Sequence, residues 1–354
     1  MSTPICDYEG SHYRQDFWGQ GRDYEDAAER LALRALLPPT GGRLIEIGAG
    51  YGRLADLYAG YGQVYLLDYA RTQIQQAQEY LAGRANITYV VGDIYSLPFN
   101  DGFFDTAVTV RVLHHISDVP AALAELARVL TANGTYVLEY ANKRNLKGIV
   151  RYLLGRQPSP FTREPWEFVK LNYDFHPAYM EDALRTAGFR PGPQRAASFF
   201  RVSLLKRLIG ARALASADGL LQVPLAGLKP APSVFVRASV EKPTAPGPAT
   251  PWRCPNCHGA IPAATAPDRA GRPATSTAAS GLSAAPSETP VPATPVLVCP
   301  RCGAAWSTAD GIYDFKSPVV LPHLTDAASH RGLEESPSGQ GEEKQEPLAQ
   351  TCQL

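Results

Sequence analysis

The stretch LIEIGAGYGRL, residues 44–54, decides the fold. A short apolar run leads directly into three glycines at alternate positions, Gly48, Gly50 and Gly52. Glycine lets the backbone turn tightly and lets a ligand approach it closely. Glu46 lies inside the apolar run, and the alternation of side chains along a strand aims it away from its apolar neighbours. The stretch therefore predicts a strand that ends in a ligand-binding turn, with an acid beside that turn.

The same spacing indicates which ligand the turn suits. The dinucleotide fingerprint G-x-G-x-x-G would need a third glycine at position 53, where Arg53 stands instead. A dinucleotide also brings a pyrophosphate, which prefers a helix N-terminus free of nearby anions. S-adenosylmethionine brings a sulfonium cation and an amino acid, for which a carboxylate beside the loop is favourable. Glu46 therefore favours S-adenosylmethionine over a dinucleotide.

The first two thirds of the chain alternate short apolar runs with amphipathic segments. This rhythm is typical of βα units that form a parallel sheet. The pattern predicts strands at 43–47, 63–67, 86–91, 104–110 and 134–140, and helices at 71–81 and 118–130.

Two further acids follow the next two predicted strands. Asp68 ends the second strand, where a carboxylate can accept hydrogen bonds from both ribose hydroxyls of either a nucleoside or NAD. Asp93 ends the third strand and could accept from an adenine amine while Ile94 packs on the ring. Each acid alone could be a helix N-cap or a turn residue. Together with Glu46 they lie at the carboxyl edge of one sheet, where such folds bind ligands.

Several ordered motifs resemble a known family. These are LIEIGAGYGRL, LLDYA, GDIYSLPFNDGFFDTAVTVRVLHHI, ELARVLTANGTYVLEY and LRTAGF. They are similar to the motifs of class I S-adenosylmethionine-dependent methyltransferases, particularly the group that includes the ubiquinone and menaquinone C-methyltransferases. The resemblance covers about residues 40–190. It implies a Rossmann-like, doubly wound α/β sheet of seven strands, in which the last strand, 232–240, runs antiparallel.

The resemblance also implies cofactor-binding residues. Glu46, Gly48, Gly50 and Gly52 would border the methionine moiety, Asp68 and Tyr69 would lie at the ribose, Asp93 and Ile94 would lie at the adenine, and Arg111 would lie beside the methyl group. The acceptor does not follow from the resemblance, because one fold carries many substrates.

Methyl transfer from a sulfonium is an in-line displacement, so the protein mainly holds donor and acceptor in position. A general base is needed only where the acceptor must lose a proton. His115 and Tyr13 are the candidates. The alternatives are a hydrogen-bonded structural histidine for His115 and an aromatic lid contact for Tyr13, because the N-terminal segment often closes over the cofactor in this family.

Four cysteines form two C-x-x-C pairs, at Cys254, Cys257, Cys299 and Cys302. Two such pairs predict a structural zinc site, because four thiolates leave no open position on the metal. Disulfides and redox activity are disfavoured in the cytoplasm, where we expect the protein. The surrounding sequence resembles the zinc-ribbon proteins that activate eukaryotic methyltransferases, here fused to the enzyme's own chain.

Composition predicts the domain boundaries. A methyltransferase domain is expected at 1–240, a linker at 241–253 and a zinc ribbon at 254–318. Within the ribbon, a segment at about 260–295 rich in Ala, Pro, Ser and Thr predicts a disordered insertion. The polar tail, 319–354, is also expected to be disordered.

Charge and hydropathy limit the classes of partner that the sequence predicts. With 34 basic and 34 acidic residues the chain has no net charge, which disfavours but does not exclude nucleic acid as a partner. The sequence predicts no transmembrane segment. Two stretches, 142–177 and 199–214, are rich in cations and aromatic or apolar residues and could meet an anionic substrate, RNA or a peripheral membrane surface. The alternative is a solvated helix face with Ile149, Val150, Leu153 and Leu154 turned to the core.

The sequence thus predicts an S-adenosylmethionine-dependent methyltransferase with a small-molecule acceptor and a structural zinc ribbon. The alternatives are an RNA methyltransferase and a non-catalytic scaffold whose ribbon binds a partner. Neither the identity of the acceptor nor the oligomeric state follows from the sequence.

Overall fold

A ten-stranded sheet flanked by helices dominates the structure, a computed structural model that describes residues 3–248, 250–262, 296–319 and 350–351. The strands are β1 (Cys6–Asp7), β2 (Gly41–Ile47), β3 (Tyr61–Asp68), β4 (Ile87–Val91), β5 (Phe104–Thr109), β6 (Leu130–Ala141), β7 (Trp166–Val169), β8 (Asn172–Asp174), β9 (Phe189–Ala197), β10 (Ser233–Val240), β11 (Val296–Val298), β12 (Ala305–Ser307), β13 (Ile312–Val319) and β14 (Gln350–Thr351). The helices are α1 (Asp23–Leu36), α2 (Arg71–Tyr80), α3 (Val119–Val129), α4 (Leu146–Leu153), α5 (Pro177–Thr186), α6 (Ser203–Ile209) and α7 (Ala211–Leu221).

The strand order of the large sheet is β11-β12-β13-β4-β3-β2-β5-β6-β10-β9. Strands β2 to β6 pair in parallel, and β10 runs antiparallel to both β6 and β9. The mostly parallel sheet with its helices confirms the predicted Rossmann-like α/β fold. The order reverses between β2 and β5, so a ligand crevice is expected there, at the carboxyl ends of these strands.

Strand β2 shows why the sequence folds in this way. Ile45 and Ile47 are buried in one hydrophobic cluster, while Leu44 is buried in a second cluster on the other face of the sheet. The sequence of a strand that is covered on both faces is a nearly continuous apolar run. Glu46 shares the face of Leu44 and is the one charged residue of this buried half of the strand.

The sheet has ten strands rather than the seven expected, because the C-terminal segment extends it. Strand β13 pairs in parallel with β4, with Ile312 opposite Tyr89 and Asp314 opposite Val91. Strands β11 and β12 continue the sheet outward as an antiparallel pair. The cysteine-bearing segment is therefore joined to the large domain by backbone hydrogen bonds.

The end of the predicted linker is part of the core. Trp252 is only 3% exposed, and its ring stacks on Phe99 at a centroid distance of 5.4 Å. The same ring also contacts Tyr313 and Phe315 of β13. Residues up to 253 therefore do not act as a free spacer, because this aromatic cluster fixes the chain before the first cysteine pair.

The boundaries of the two segments predicted to be disordered also differ. Ala260 forms an isolated β-bridge with Arg253, and Ile261 is buried, so the cysteine module extends past 260. Residue 319 belongs to β13, and 350–351 form β14, which pairs with β1. The remainder of both predictions, 263–295 and most of the tail, lies outside the described residues.

Helix α4 does not turn its apolar face to the core. Val150, Leu153 and Leu154, which the alternative for the basic stretch placed inside, are 47%, 74% and 61% exposed. Gly148 is the buried residue of this helix, so the opposite face packs on the domain. In the described ranges no helix combines the length and apolarity that crossing a bilayer requires.

Candidate functional site

The glycine turn after β2 forms the floor of a cavity. Gly48, Gly50 and Gly52 all have positive φ angles, which glycine adopts without strain. A Cβ on Gly48 would lie 2.3 Å from Cγ2 of Val112, so this position leaves no space for a side chain. A Cβ on Gly50 would meet Cδ1 of Tyr13 at 4.0 Å, an ordinary contact distance, and Gly50 lines the cavity. Gly52 instead packs on Leu81 just after α2 and does not line the cavity.

Asp68 ties this turn to the end of β3. Its Oδ2 accepts a hydrogen bond from the Gly50 N–H at 2.9 Å, and its Oδ1 accepts from the Ala70 N–H at 3.0 Å. Burial raises the pKa of Asp68 to about 6, although these backbone donors favour the charged form. A carboxylate has about four acceptor positions, so the group can still accept hydrogen bonds from a ligand.

Glu46 lies at the bottom of the cavity with an unsatisfied acceptor. The side chain is buried, and Oε2 has no hydrogen-bond partner within the described part of the chain. Burial raises its pKa to about 8. A buried polar atom without a partner carries a desolvation cost, which a ligand donor can remove. This residue therefore suits a ligand that presents a cationic or N–H group to the cavity floor.

The structure brings most predicted residues together. The cavity is lined by Glu46, Gly48, Gly50, Asp68, Tyr69, Ile94, Arg111, His115 and Tyr13. Asp93 is not among the lining residues, although its neighbours Gly92 and Ile94 are. Its carboxylate instead accepts from the Tyr95 N–H at 2.8 Å, so its position in the structure is that of a turn residue.

At the cavity wall Arg111 contributes its backbone, because its charged side chain is paired with an acid. It has a φ of 60°, and its N–H donates to Glu139 at 3.0 Å. Its guanidinium binds Glu29, at 2.8 Å from Nε to Oε1. Glu29 also accepts from Arg53 at 2.9 Å. Burial alone would raise the pKa of Glu29, but the charges of Arg111 and Arg53 outweigh it and hold that pKa below its ordinary value.

An N-terminal aromatic segment covers the cavity. Tyr8, Tyr13 and Trp18 all line it. The Tyr13 ring lies between Tyr8, at a centroid distance of 5.4 Å, and Phe17, on which it stacks at 5.1 Å. Trp18 lies under the guanidinium of Arg53, which is 3.8 Å from its ring centroid. Burial raises the pKa of Tyr13, which favours the protonated hydroxyl.

His115 is held by hydrogen bonds at both ring nitrogens. Nδ1 lies 2.9 Å from the Leu171 carbonyl oxygen, and Nε2 lies 2.9 Å from the Tyr8 hydroxyl. A carbonyl only accepts, so the neutral ring carries its proton on Nδ1 and accepts the Tyr8 proton at Nε2. Burial lowers the pKa of His115, which keeps the ring neutral. The sequence did not identify Tyr8, because 107 residues separate it from His115.

The four cysteines of the C-terminal module converge. Their Sγ atoms all lie within 4.8 Å of one another, with Cys254 to Cys302 at 3.7 Å and Cys257 to Cys299 at 3.5 Å. Tetrahedral zinc with Zn–S bonds of about 2.3 Å requires sulfurs about 3.8 Å apart. The thiolate set therefore fits a four-coordinate metal ion and leaves it no open position.

Two matched turns present these sulfurs. The His258 N–H donates to the Cys254 carbonyl, and the Gly303 N–H donates to the Cys299 carbonyl, both at 2.9 Å. His258 and Gly303 hold equivalent places after their pairs, and both have positive φ angles. The two pairs therefore share one turn geometry, and their four sulfurs lie together where a metal ion could bind.

The ribbon strand β13 also reaches the cavity wall. Nζ of Lys316 lies 4.0 Å from the ring centroid of Tyr69, which lines the cavity. The same Nζ lies 2.8 Å from Oδ2 of Asp7, in the segment that covers the cavity. One side chain of the cysteine module thus contacts both a wall and the cover of the site.

Comparisons with known proteins find a family model that matches part of the chain. Residues 45–138 match the family model described as methyltransferase domain. An uncharacterised 37.1 kDa protein of a Streptomyces fradiae transposon is 34% identical over 112 residues, which are 30% of this chain and 32% of that protein. The demethylmenaquinone methyltransferase of Roseiflexus castenholzii is 32% identical over 34% of this chain and 52% of the relative. The chain thus spans about a third to a half of the length of these relatives.

The similarity of this chain to solved structures is weaker than its similarity to these relatives. A chain from a Haloferax volcanii complex of the Trm112 methyltransferase activator with a methyltransferase has 17% identity and a TM-score of 0.45. It covers 64% of this chain and 97% of its own length. An S-adenosylmethionine-dependent methyltransferase of Mesorhizobium loti has 19% identity and a TM-score of 0.43, over 61% of this chain and 99% of its own.

Proposed function

We propose that this protein is an S-adenosylmethionine-dependent methyltransferase that acts on a small-molecule acceptor. One observation carries the proposal: the buried carboxylate of Glu46, whose Oε2 has no hydrogen-bond partner among the described residues, lies in the same cavity as Gly50 and Asp68. The match of residues 45–138 to the methyltransferase domain supports it.

The residues present fit the cofactor. Glu46 would accept a hydrogen bond from the amino group of the methionine moiety and would ionise on meeting that cation. Asp68 would accept from ribose hydroxyls, while Ile94 would pack against the adenine ring. Gly50 would let the ligand approach the backbone closely. When bound, the cofactor supplies an electrophilic methyl group on sulfur, and the chain's own residues then only have to orient donor and acceptor.

Tyr8 and His115 would supply a proton relay for acceptors that must lose a proton. The acceptor proton would pass to Tyr8 Oη while the Tyr8 proton passes to Nε2 of His115, at a distance of 2.9 Å. The Leu171 carbonyl would hold the resulting imidazolium through Nδ1. His115 would act through Tyr8 rather than on the acceptor directly. Phenols and quinols are acceptors of this class, and five of the curated relatives are demethylmenaquinone methyltransferases.

We further propose that the cysteine cluster binds one structural zinc ion. The distances between the sulfurs and the two matched knuckles support this assignment, because they fit a closed tetrahedral site. The ion would hold the ribbon in the form that adds β13 to the sheet. Its role would be structural, since no coordination position remains for a substrate.

A titration by calorimetry tests the cofactor. The zinc-loaded protein is titrated with S-adenosylmethionine, S-adenosylhomocysteine and NAD, and binding of the first two but not of NAD is expected. A panel of phenols, quinols and RNA is then offered with labelled S-adenosylmethionine, and transfer to a phenol or quinol is expected. Binding of NAD alone would contradict the proposed cofactor. Methyl transfer to RNA alone would contradict the proposed class of acceptor.

A further inference from the structure

Helix α4 presents its apolar face to solvent. Leu146, Val150, Leu153 and Leu154 are 61%, 47%, 74% and 61% exposed. Their spacing of four, three and one residues places them on one side of the helix, because 3.6 residues make one turn. An amphipathic helix of a monomer normally turns this side inward. The side turned inward here contains Gly148 instead.

The chain around α4 carries positive charge and no negative charge. Residues 142–163 contain six lysines or arginines and no aspartate or glutamate, in a protein without net charge. Lys143 is internal, since its Nζ donates to Thr162 and Glu164 backbone oxygens. Lys147, Arg151 and Arg156 are exposed. On the helix, Lys147 and Arg151 lie along one border of the apolar stripe, where long cationic side chains can reach an anionic layer.

Helix α6 repeats the pattern. Leu204, Leu208 and Ile209 are 64%, 73% and 51% exposed. Residues 199–214 contain four cations and no acid. Lys206 pairs with Glu25 and Arg201 donates to Ser233, while Arg207 and Arg212 are exposed. Arg201, just before α6, and Arg151 of α4 both lie near the carboxylate of Asp174. The two helices therefore approach the same region of the domain.

We propose that α4 and α6 form a docking surface for an anionic lipid bilayer. The apolar residues would enter the boundary between headgroups and acyl chains, and the adjacent cations would bind the lipid charges. Exposed apolar stripes next to cations, with acids absent from both segments, match a surface that is apolar inside and negative outside. A protein partner or a second copy of this chain would match the apolar residues but gives no reason for the missing acids.

This docking does not depend on methyl transfer and goes beyond the proposed function. It would bring the enzyme to acceptors that reside in lipid, an extension that does rest on the proposed function. The ribbon stands at the opposite end of the large sheet from β6, the strand that α4 follows, so it would stay clear of the bilayer.

Vesicle cosedimentation tests the surface with the full-length, zinc-loaded protein. Vesicles of phosphatidylcholine with about 30% phosphatidylserine are compared with pure phosphatidylcholine. We expect about tenfold or greater preference for the anionic vesicles, and loss of most of it at about 0.5 M salt. The double variant Leu153→Glu/Leu154→Glu should lower binding by about tenfold or more. Lys147→Glu/Arg156→Glu should lower binding to anionic vesicles only.

Val298→Glu is the matched control, because it adds an acid to an exposed apolar residue of the ribbon. It should leave vesicle binding unchanged, and all variants should still bind S-adenosylhomocysteine. No preference for anionic vesicles, or equal binding by the Leu153→Glu/Leu154→Glu variant, would overturn the proposal. A dimer that this variant dissociates, without vesicle binding by the wild type, would also overturn it by assigning the surface to a second copy.

Discussion

Lys316 of the ribbon strand lies 2.8 Å from Asp7 in the segment that covers the cavity. Asp7 is nearly buried, and Lys316 also contacts the face of the Tyr69 ring, so this contact is better shielded from water than an ordinary surface ion pair. It gives the cysteine module a direct physical connection to the cofactor cavity.

Replacing Lys316 by alanine should weaken ligand binding. The variant loses an ion pair and a cation–π contact, together worth about 1 kcal/mol, so the affinity for S-adenosylhomocysteine should fall about three- to tenfold. Calorimetry measures the affinity, and a melting curve reports folding. Lys316→Arg keeps both contacts and should retain most of the affinity. Equal affinities in the wild type and Lys316→Ala would show that the contact does not serve the site.

Loss of the metal should lower both the stability of the cysteine module and the affinity of the cavity for its ligand. Cys299→Ser removes one thiolate from a closed site, so the chain should hold well below the expected one zinc ion per chain and should unfold at lower temperature. The affinity for S-adenosylhomocysteine should fall with it, because β13 carries Lys316. Metal analysis and calorimetry measure these quantities. Val298→Ser is the control and should keep its metal; a metal-free wild type with full stability would contradict the assignment.

Trp252→Ala tests how firmly the module is fixed to the domain. The ring is buried against Phe99, Tyr313 and Phe315, so its removal should cost about 3–5 kcal/mol of unfolding free energy. Unfolding by denaturant measures this loss of unfolding free energy. Trp252→Phe fills part of the space and should recover part of the loss, whereas a loss below about 1 kcal/mol would mean that the module does not contribute to the shared core.

Glu46 should make both stability and binding depend on pH. Its folded pKa of about 8 lies above the ordinary value near 4.5, so the folded protein holds a proton that the unfolded chain releases between these two pH values. Its contribution to stability is therefore largest below about pH 4.5, decreases as the pH rises and levels off above about pH 8. The Glu46→Gln variant should lack this component of the unfolding free energy.

Binding should show the opposite trend. A cationic amino group is bound by the ionised carboxylate, so the affinity for S-adenosylhomocysteine should rise as the pH increases toward 8. Glu46→Gln should bind about tenfold or more weakly at pH 8, and the part of the pH dependence due to this residue should be absent. A pH profile that is identical in the variant and the wild type would contradict the role given to Glu46.

The Tyr8 and His115 pair should affect turnover rather than binding. With an acceptor that must lose a proton, Tyr8→Phe should lower kcat by about a hundredfold or more, while the affinity for S-adenosylhomocysteine stays within about threefold. His115→Gln should have a similar effect and should shift the pH profile of kcat, which a merely structural role would not do. Tyr13→Phe is the control, because it removes the other candidate hydroxyl and keeps the ring contacts with Tyr8 and Phe17. An unchanged kcat in Tyr8→Phe would contradict the proposed proton relay.

The sequence predicted the strands and turn that carry the site because those features are local. The run from Leu44 to Gly52 encodes a buried strand, a turn and an acid within one short segment. The adenine role of Asp93 stays a prediction, because a strand-end acid can serve a ligand as well as its own turn, and Oδ1 of Asp93 accepts from the Tyr95 N–H.

The long-range contacts could not be predicted in the same way. Tyr8 meets His115, and Lys316 meets Asp7, across 107 and 309 residues, and no periodicity in the sequence encodes such pairs. Trp252 resembled part of a linker because its surroundings are rich in proline, although its pocket is built by Phe99 and β13. The apolar residues of α4 were expected to face inward by the usual rule, which the structure does not follow.

Titration of S-adenosylhomocysteine into zinc-loaded wild type and Asp68→Ala asks whether this cavity binds the cofactor. Asp68 joins the glycine turn to the end of β3, so we expect micromolar binding to the wild type and none measurable for Asp68→Ala. Asp68→Asn, which keeps one acceptor oxygen, should bind with intermediate affinity, and the exposed control Asp182→Ala should bind like the wild type. Absence of binding to the wild type, or equal binding to Asp68→Ala, would contradict the account.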